Sequence, residues 1–90
     1  MYTPLYTKQF EKDIKRCRRR GKDFEKFKIL ARTLLAGRPP DAIHRDHKLI
    51  GNRIGRRDCH IESDWVLIYR IDGECMIFER TGTHADLFKK

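Results

Sequence analysis

The segment Arg57-Asp58-Cys59-His60-Ile61-Glu62-Ser63-Asp64-Trp65 and the run Phe78-Glu79-Arg80-Thr81-Gly82-Thr83-His84 carry the residue types that do proton chemistry. Imidazole titrates near neutrality, so His60 and His84 can each give or take a proton at physiological pH. His47 adds an imidazole upstream and Asp64 a carboxylate. Arg80 offers a planar fork of donors that matches phosphate oxygens. The chain has 21 Lys and Arg against 13 Asp and Glu, a net charge of +8, and a basic surface draws in polyanions. Acid–base groups on such a surface point to phosphodiester chemistry, and RNA brings its own nucleophile in the 2′-hydroxyl. A base removes that proton, an acid protonates the leaving 5′-oxygen, and a cation steadies the charge that builds between them. Histidine and aspartate can divide the first two tasks among His47, His60, His84 and Asp64, and Arg80 suits the third. The scheme requires no metal and no cofactor.

Other readings compete for the same residues. A histidine met singly in a basic domain is usually a surface or satisfied core residue. Three histidines and an aspartate are also acceptable zinc ligands. No HxxxH or HxH spacing pre-organises a pair, however, and the three cysteines include no CxxC. A catalytically silent basic module that binds RNA through the same surface is the strongest competitor. His44 shows no partner and reads as a loop residue.

The basic excess is clustered. Lys15, Arg16, Arg18, Arg19, Arg20 and Lys22 make one block, and Arg53, Arg56 and Arg57 make another. Each block taken singly reads as a solvated face. Together they flank the histidine cluster, which makes Arg18, Arg19, Arg20, Arg53, Arg56 and Arg57 candidates for RNA phosphates. Phe88 has no obvious core neighbour and is a candidate for stacking on a base. Trp65 reads chiefly as packing at a sheet end, a role compatible with stacking.

The elements that must position these groups follow from periodicity. Residues 2–6 suit a short strand, limited by Pro4. Phe10, Ile14 and Cys17 recur at helical spacing after a capping Thr7, and Gly21 suits the end of that helix. Asp23 caps a second helix with an apolar stripe of Phe24, Phe27, Leu30, Ala31, Leu34 and Leu35, stopped by Gly37, Pro39 and Pro40. Three strands follow: 53–61, then Trp65–Ile71, then Glu74–Thr81, the last two joined by an Asp72-Gly73 type I′ turn. That turn sets Ile71 opposite Glu74, Tyr69 opposite Met76 and Leu67 opposite Phe78. Leu67, Tyr69, Met76, Phe78 and Arg80 then share one face, and Val66, Ile68, Cys75 and Ile77 the other. Both faces are largely apolar, so the hairpin lies centrally in its sheet. Residues 84–88 form a tail or short helical turn that only Leu87 and Phe88 can hold down.

The expectation is a single domain over residues 1–90, of α+β class and β-α-α-β-β-β order, with a helical hairpin on a small, mainly antiparallel sheet. Cys17, Cys59 and Cys75 are odd in number and read as free thiols in a reducing compartment. The N-terminus lacks a signal-peptide pattern, and the apolar run from Trp65 to Tyr69 is far short of a membrane span. These features suggest a cytoplasmic protein with no membrane partner.

The motif Asp58-x-His60-Ile61-Glu62-x-Asp64-Trp65-Val66-Leu67-Ile68-Tyr69, then Phe78-Glu79-Arg80-Thr81-Gly82-Thr83-His84-Ala85-x-Leu87-Phe88, closely resembles the YafQ branch of the RelE-like toxins of type II toxin–antitoxin pairs. Asp46-His47-x-Leu49-x-Gly51 resembles the segment that supplies the family's upstream histidine. The resemblance implies a RelE-like fold and a metal-free mRNA endonuclease acting on the ribosome. It implies neutralisation by a cognate acidic antitoxin of the DinJ/RelB kind, with operator DNA bound only through the complex. It matches the family's active-site histidines to His47, His60 and His84, its acidic partner to Asp64, its C-terminal aromatic to Phe88, and Arg80 to an arginine that some members use at the phosphate.

Overall fold

A computed structural model describes residues 1–48 and 55–88, with residues 47 and 48 described by backbone alone. In chain order it holds β1 (Thr3–Tyr6), α1 (Lys8–Arg19), α2 (Phe24–Leu35), a 3₁₀ turn (Ala42–His44), β2 (His47–Lys48), β3 (Arg56–Glu62), β4 (Trp65–Asp72), β5 (Cys75–Gly82) and α3 (His84–Leu87). The five strands form one sheet in the order β1-β5-β4-β3-β2. β1 runs parallel to β5, and every other pairing is antiparallel. The expected α+β class and order are therefore present, with β2 added at the far edge.

The helices begin where the sequence offers a cap. The Thr7 hydroxyl accepts the Phe10 amide at 2.9 Å, and the Asp23 carboxylate accepts the Glu25 amide at 3.0 Å. α1 turns Phe10 and Cys17 inward, and α2 turns Phe27, Leu30, Ala31 and Leu34 inward. These side chains meet Cys59, Ile61, Trp65, Leu67, Tyr69, Met76 and Phe78 in the main core. A smaller cluster of Val66, Ile68 and Leu87, with Phe88 against it, covers part of the opposite face. No helix among the described residues is long and apolar enough to cross a membrane.

The hairpin register differs from expectation. Asp72 pairs with Cys75, Ile71 with Met76 and Tyr69 with Phe78, so the two-residue loop is Gly73-Glu74. Gly73 takes φ +61°, and it is the first loop residue, as a type II′ turn demands. The register error is two residues. Because side chains alternate with period two, the inward set Leu67, Tyr69, Met76 and Phe78 survives it. Beyond Phe78 the register slips by one more, between Ile68 and Tyr69, and Arg80 falls opposite Ile68. Arg80 therefore does not follow Phe78 in the alternation, as an unbroken ladder would require.

Candidate active site

Ser63 and Asp64 form the turn between β3 and β4, and α3 begins just beyond the end of β5. Since Val66 pairs with both His60 and Gly82, the two ends meet at one rim of the sheet. There Asp64 Oδ1 accepts the His84 backbone N–H at 2.9 Å and lies 2.7 Å from His84 Nδ1. The His84 amide, then its imidazole, holds the Asp64 carboxyl below the ordinary carboxylate range. The carboxylate only accepts, so Nδ1 carries the hydrogen and Nε2 is the free end of the ring. The His60 ring stands edge-on to His84, with centroids 5.1 Å apart, and the Phe88 ring lies 6.1 Å from that of His84. His60, Asp64, His84 and Phe88 therefore form one constellation. Leu87, 4% exposed, anchors it by packing on Val66 and Ile68.

A family model described as the YafQ bacterial toxin of type II toxin–antitoxin systems matches residues 2–89. The chain belongs to the YafQ toxin family. It is 45% identical over 84 residues to the mRNA interferase toxin YafQ of Escherichia coli K12, covering 92% of this chain and 91% of that protein. The toxin in the E. coli DinJ–YafQ complex superposes with a TM-score of 0.91 at 43% identity, covering 98% of this chain and 99% of that one. A metal-bound toxin from Helicobacter pylori superposes at 0.92 with 30% identity, covering 98% of this chain and 100% of that one. In this YafQ-family toxin, no group of three His, Cys, Asp or Glu side chains among the described residues is arranged to hold a metal ion.

The remaining predicted residues of the toxin are distributed differently. The backbone of His47 pairs with that of Asp58 in β2, next to the strand that carries His60; its side chain and Arg53 lie outside the described residues. Trp65 is only 1% exposed, and its indole N–H donates to the Thr81 hydroxyl at 2.8 Å. With its ring inside the core it presents no face to a base, which corrects its assignment to RNA. Arg57 reaches Asp46 through two hydrogen bonds of 3.2 and 3.1 Å, and Tyr69 donates to the same carboxylate at 2.7 Å. Arg57 pairs with Tyr69 on the helix-covered side of the sheet, the side away from His60. Arg56 and Arg70 share the carboxylate of Glu79.

The basic block on α1 is largely spoken for. Arg20 donates to Asp86 of α3 at 2.7 Å, and Arg18 lies over the Phe24 ring, 5.0 Å from its centroid. Lys22 and Lys26 close on Glu62 at 3.1 and 2.7 Å. Arg19 and Lys15 are exposed at the helix surface. The tail is also held more firmly than its apolar residues alone allow. Thr83 and Asp86 cap α3 reciprocally, and Arg20 draws Asp86 well below the ordinary carboxylate range.

The sequence reading missed three residues. His44 Nδ1 lies 2.6 Å from the backbone carbonyl of His60, so it donates there and braces β3 beside the site. Together they border a cleft of about 560 Å³ that also includes Ile43, Arg45 and Ser63. A carbonyl partner leaves no mark in residue type, so nothing in the sequence could reveal it. The others are Asp13, fully buried on α1, and Asp86, which Arg20 holds on α3. The signal for Asp13 was present: it stands three residues after Phe10 and four before Cys17, on the inward stripe. The cysteines are free thiols, and burial pushes Cys59 up to about 12, so it is inert as a nucleophile.

Proposed function

We propose that the whole chain acts as one toxin domain, an endoribonuclease that cleaves mRNA on the ribosome and so blocks translation. The observation that carries this is the fixed pair of His84 and Asp64 with the His60 ring beside it. Asp64 sets the tautomer of His84 and presents Nε2 outward. One phosphodiester can meet both imidazoles, which divide the removal of the 2′-hydroxyl proton and the protonation of the 5′-oxygen. His47 is the third candidate for this proton transfer. Arg80 supplies charge to the transition state, and Phe88 offers a ring against which a flanking base can stack. The reaction uses the substrate's own nucleophile, so the chemistry requires neither metal nor cofactor.

The names of the relatives support this reading, since the curated E. coli protein is an mRNA interferase toxin. The E. coli DinJ–YafQ complex supports a cognate acidic antitoxin of the same kind as partner here, with operator DNA engaged only through that complex. Ribosomes and mRNA place the work in the cytoplasm. His84→Ala tests the reading: cleavage and growth arrest should be lost while ribosome binding persists. A variant as toxic as the parent would contradict it and favour a non-catalytic ribosome-binding module.

A further inference from the structure

Asp13 is a fully buried carboxylate in a helix whose other buried residues are Phe10 and Cys17. A buried charge is sustained only when it is paired and hydrogen-bonded. Oδ2 accepts Arg80 Nε at 2.7 Å and the Thr81 backbone N–H at 3.2 Å. Oδ1 accepts Gln9 Nε2 at 3.0 Å, Arg16 Nη2 at 3.1 Å and, more weakly, Arg80 Nη2 at 3.4 Å. The chain of charges continues. Arg16 lies 3.7 Å from Asp86, and Arg20 lies 2.7 Å from the same carboxylate. Arg80, Asp13, Arg16, Asp86 and Arg20 thus alternate in sign and tie β5, α1 and α3 together. The passage is tight at Gly82, where an added Cβ would stand 2.8 Å from Asp86 Oδ2.

We propose that Asp13 is a positioning residue of the cleavage reaction: it holds Arg80 side-on at the sheet edge with its remaining donors available to phosphate. The proposal rests on the endoribonuclease reading, in which Arg80 is the transition-state cation. β1 ends at Tyr6, opposite Phe78, so Arg80 sits on an uncovered stretch of β5 that α1 can reach. Asp13 engages Nε and one Nη, one side of the guanidinium. A guanidinium has five N–H donors, so the Nη1 pair and one Nη2 hydrogen stay uncommitted to Asp13. A long side chain fixed before substrate arrives does not have to be ordered during the reaction. A merely structural ion pair would lack this link to rate. The proposal also gives Arg16 and Arg20 of the basic block an internal role, bracing the strand end and the helix that carries His84.

Because alanine at a buried ion pair can unfold the chain, the test uses Asp13→Asn, which keeps the size and an acceptor oxygen. Single-turnover cleavage of ribosome-bound mRNA is measured for the parent, Asp13→Asn, Arg80→Gln, the double variant and His84→Ala. Asp13→Asn should slow cleavage about 10- to 100-fold, as expected when a reacting group is slightly misplaced, with ribosome affinity unchanged. The double variant should be no slower than Arg80→Gln alone, because Asp13 acts through Arg80. Losses that multiply would overturn the proposal. ¹⁵N relaxation of the Arg80 Nε–H in the free protein gives a readout independent of activity: the group should be ordered in the parent and mobile in Asp13→Asn. Unchanged order would overturn it equally. Arg80→Gln cleaving at the parental rate would remove the group that Asp13 serves, while loss of cleavage in His84→Ala would leave the endoribonuclease reading standing.

Discussion

Asp64 Oδ1 receives both the backbone N–H and the imidazole Nδ1 of His84, at 2.9 and 2.7 Å. One oxygen thus fixes where the ring begins and which way it turns. His84 is 20 residues downstream of Asp64 and is brought to it by the β4–β5 hairpin and the capped turn of α3. Asp64→Asn retains the shape, but an amide can also present N–H donors to a nitrogen that itself donates. Cleavage should fall about 10²-fold or more, the size of a misdirected general acid or base. Ribosome affinity should be unchanged in the same preparation. Parental cleavage by Asp64→Asn would show that the ring does not depend on the carboxylate.

The acid stability of the C-terminal helix follows from the signs of the shifts. Asp64 and Asp86 are both held below the ordinary carboxylate range, by His84 and Arg20 respectively. A depressed folded-state pKa contributes stability that is present above the unfolded value, about 3.9 for Asp. That contribution is lost as pH falls through the folded value. The part of the docking of residues 83–88 that these carboxylates supply should therefore weaken as pH falls below about 4. Backbone order parameters followed across a pH titration check this; loosening confined to the interval above pH 5 would contradict it.

Trp65 should matter for stability. Trp65→Phe removes the indole donor to the Thr81 hydroxyl, which still donates to the Val66 carbonyl at 2.8 Å. A cost of about 1–3 kcal/mol is expected for a buried hydrogen bond broken on one side. It should appear in urea denaturation, with binding to ribosome and mRNA unchanged for the folded fraction. A stable variant with weakened RNA binding would return Trp65 to the substrate surface.

Salt dependence should separate the arginines of α1. Each phosphate neutralised on single-stranded RNA contributes about 0.7 to the slope of log affinity against log salt. Arg19→Glu combined with Lys15→Glu should flatten that slope, because these side chains are exposed on the helix surface. Arg20→Gln should leave the slope alone and loosen α3 through Asp86. The opposite pattern would make Arg20 the ribosome contact and Arg19 a bystander.

Much of this was legible in the sequence, for reasons that can be named. Thr7 and Asp23 capped their helices as their positions implied, because a cap is a local bond between near neighbours. The inward set of the hairpin survived a register error, because an even shift preserves the alternation of faces. The slip near Ile68 carries no residue signature and set Arg80 opposite Ile68. His60, Asp64 and His84 were grouped correctly because two tight connections bring them to one rim. Charges were harder to read. Arg57, Arg20 and Arg80 look like free cations in a basic chain until Asp46, Asp86 and Asp13 are found beside them, and those partners lie 11, 66 and 67 residues away. A composition-level excess of +8 does not say which arginines supply it to a ligand.

The most direct measurement replaces one oxygen of the substrate. An mRNA bearing a single 2′-deoxynucleotide on the 5′ side of the scissile phosphate is presented to the toxin on a programmed ribosome, beside the all-ribose message. Attack by the 2′-hydroxyl predicts cleavage of the ribose message to a 5′-hydroxyl fragment and a cyclic phosphate, and none at the substituted position. Cleavage of both messages at equal rates would contradict the acid–base mechanism assigned to His60, Asp64 and His84.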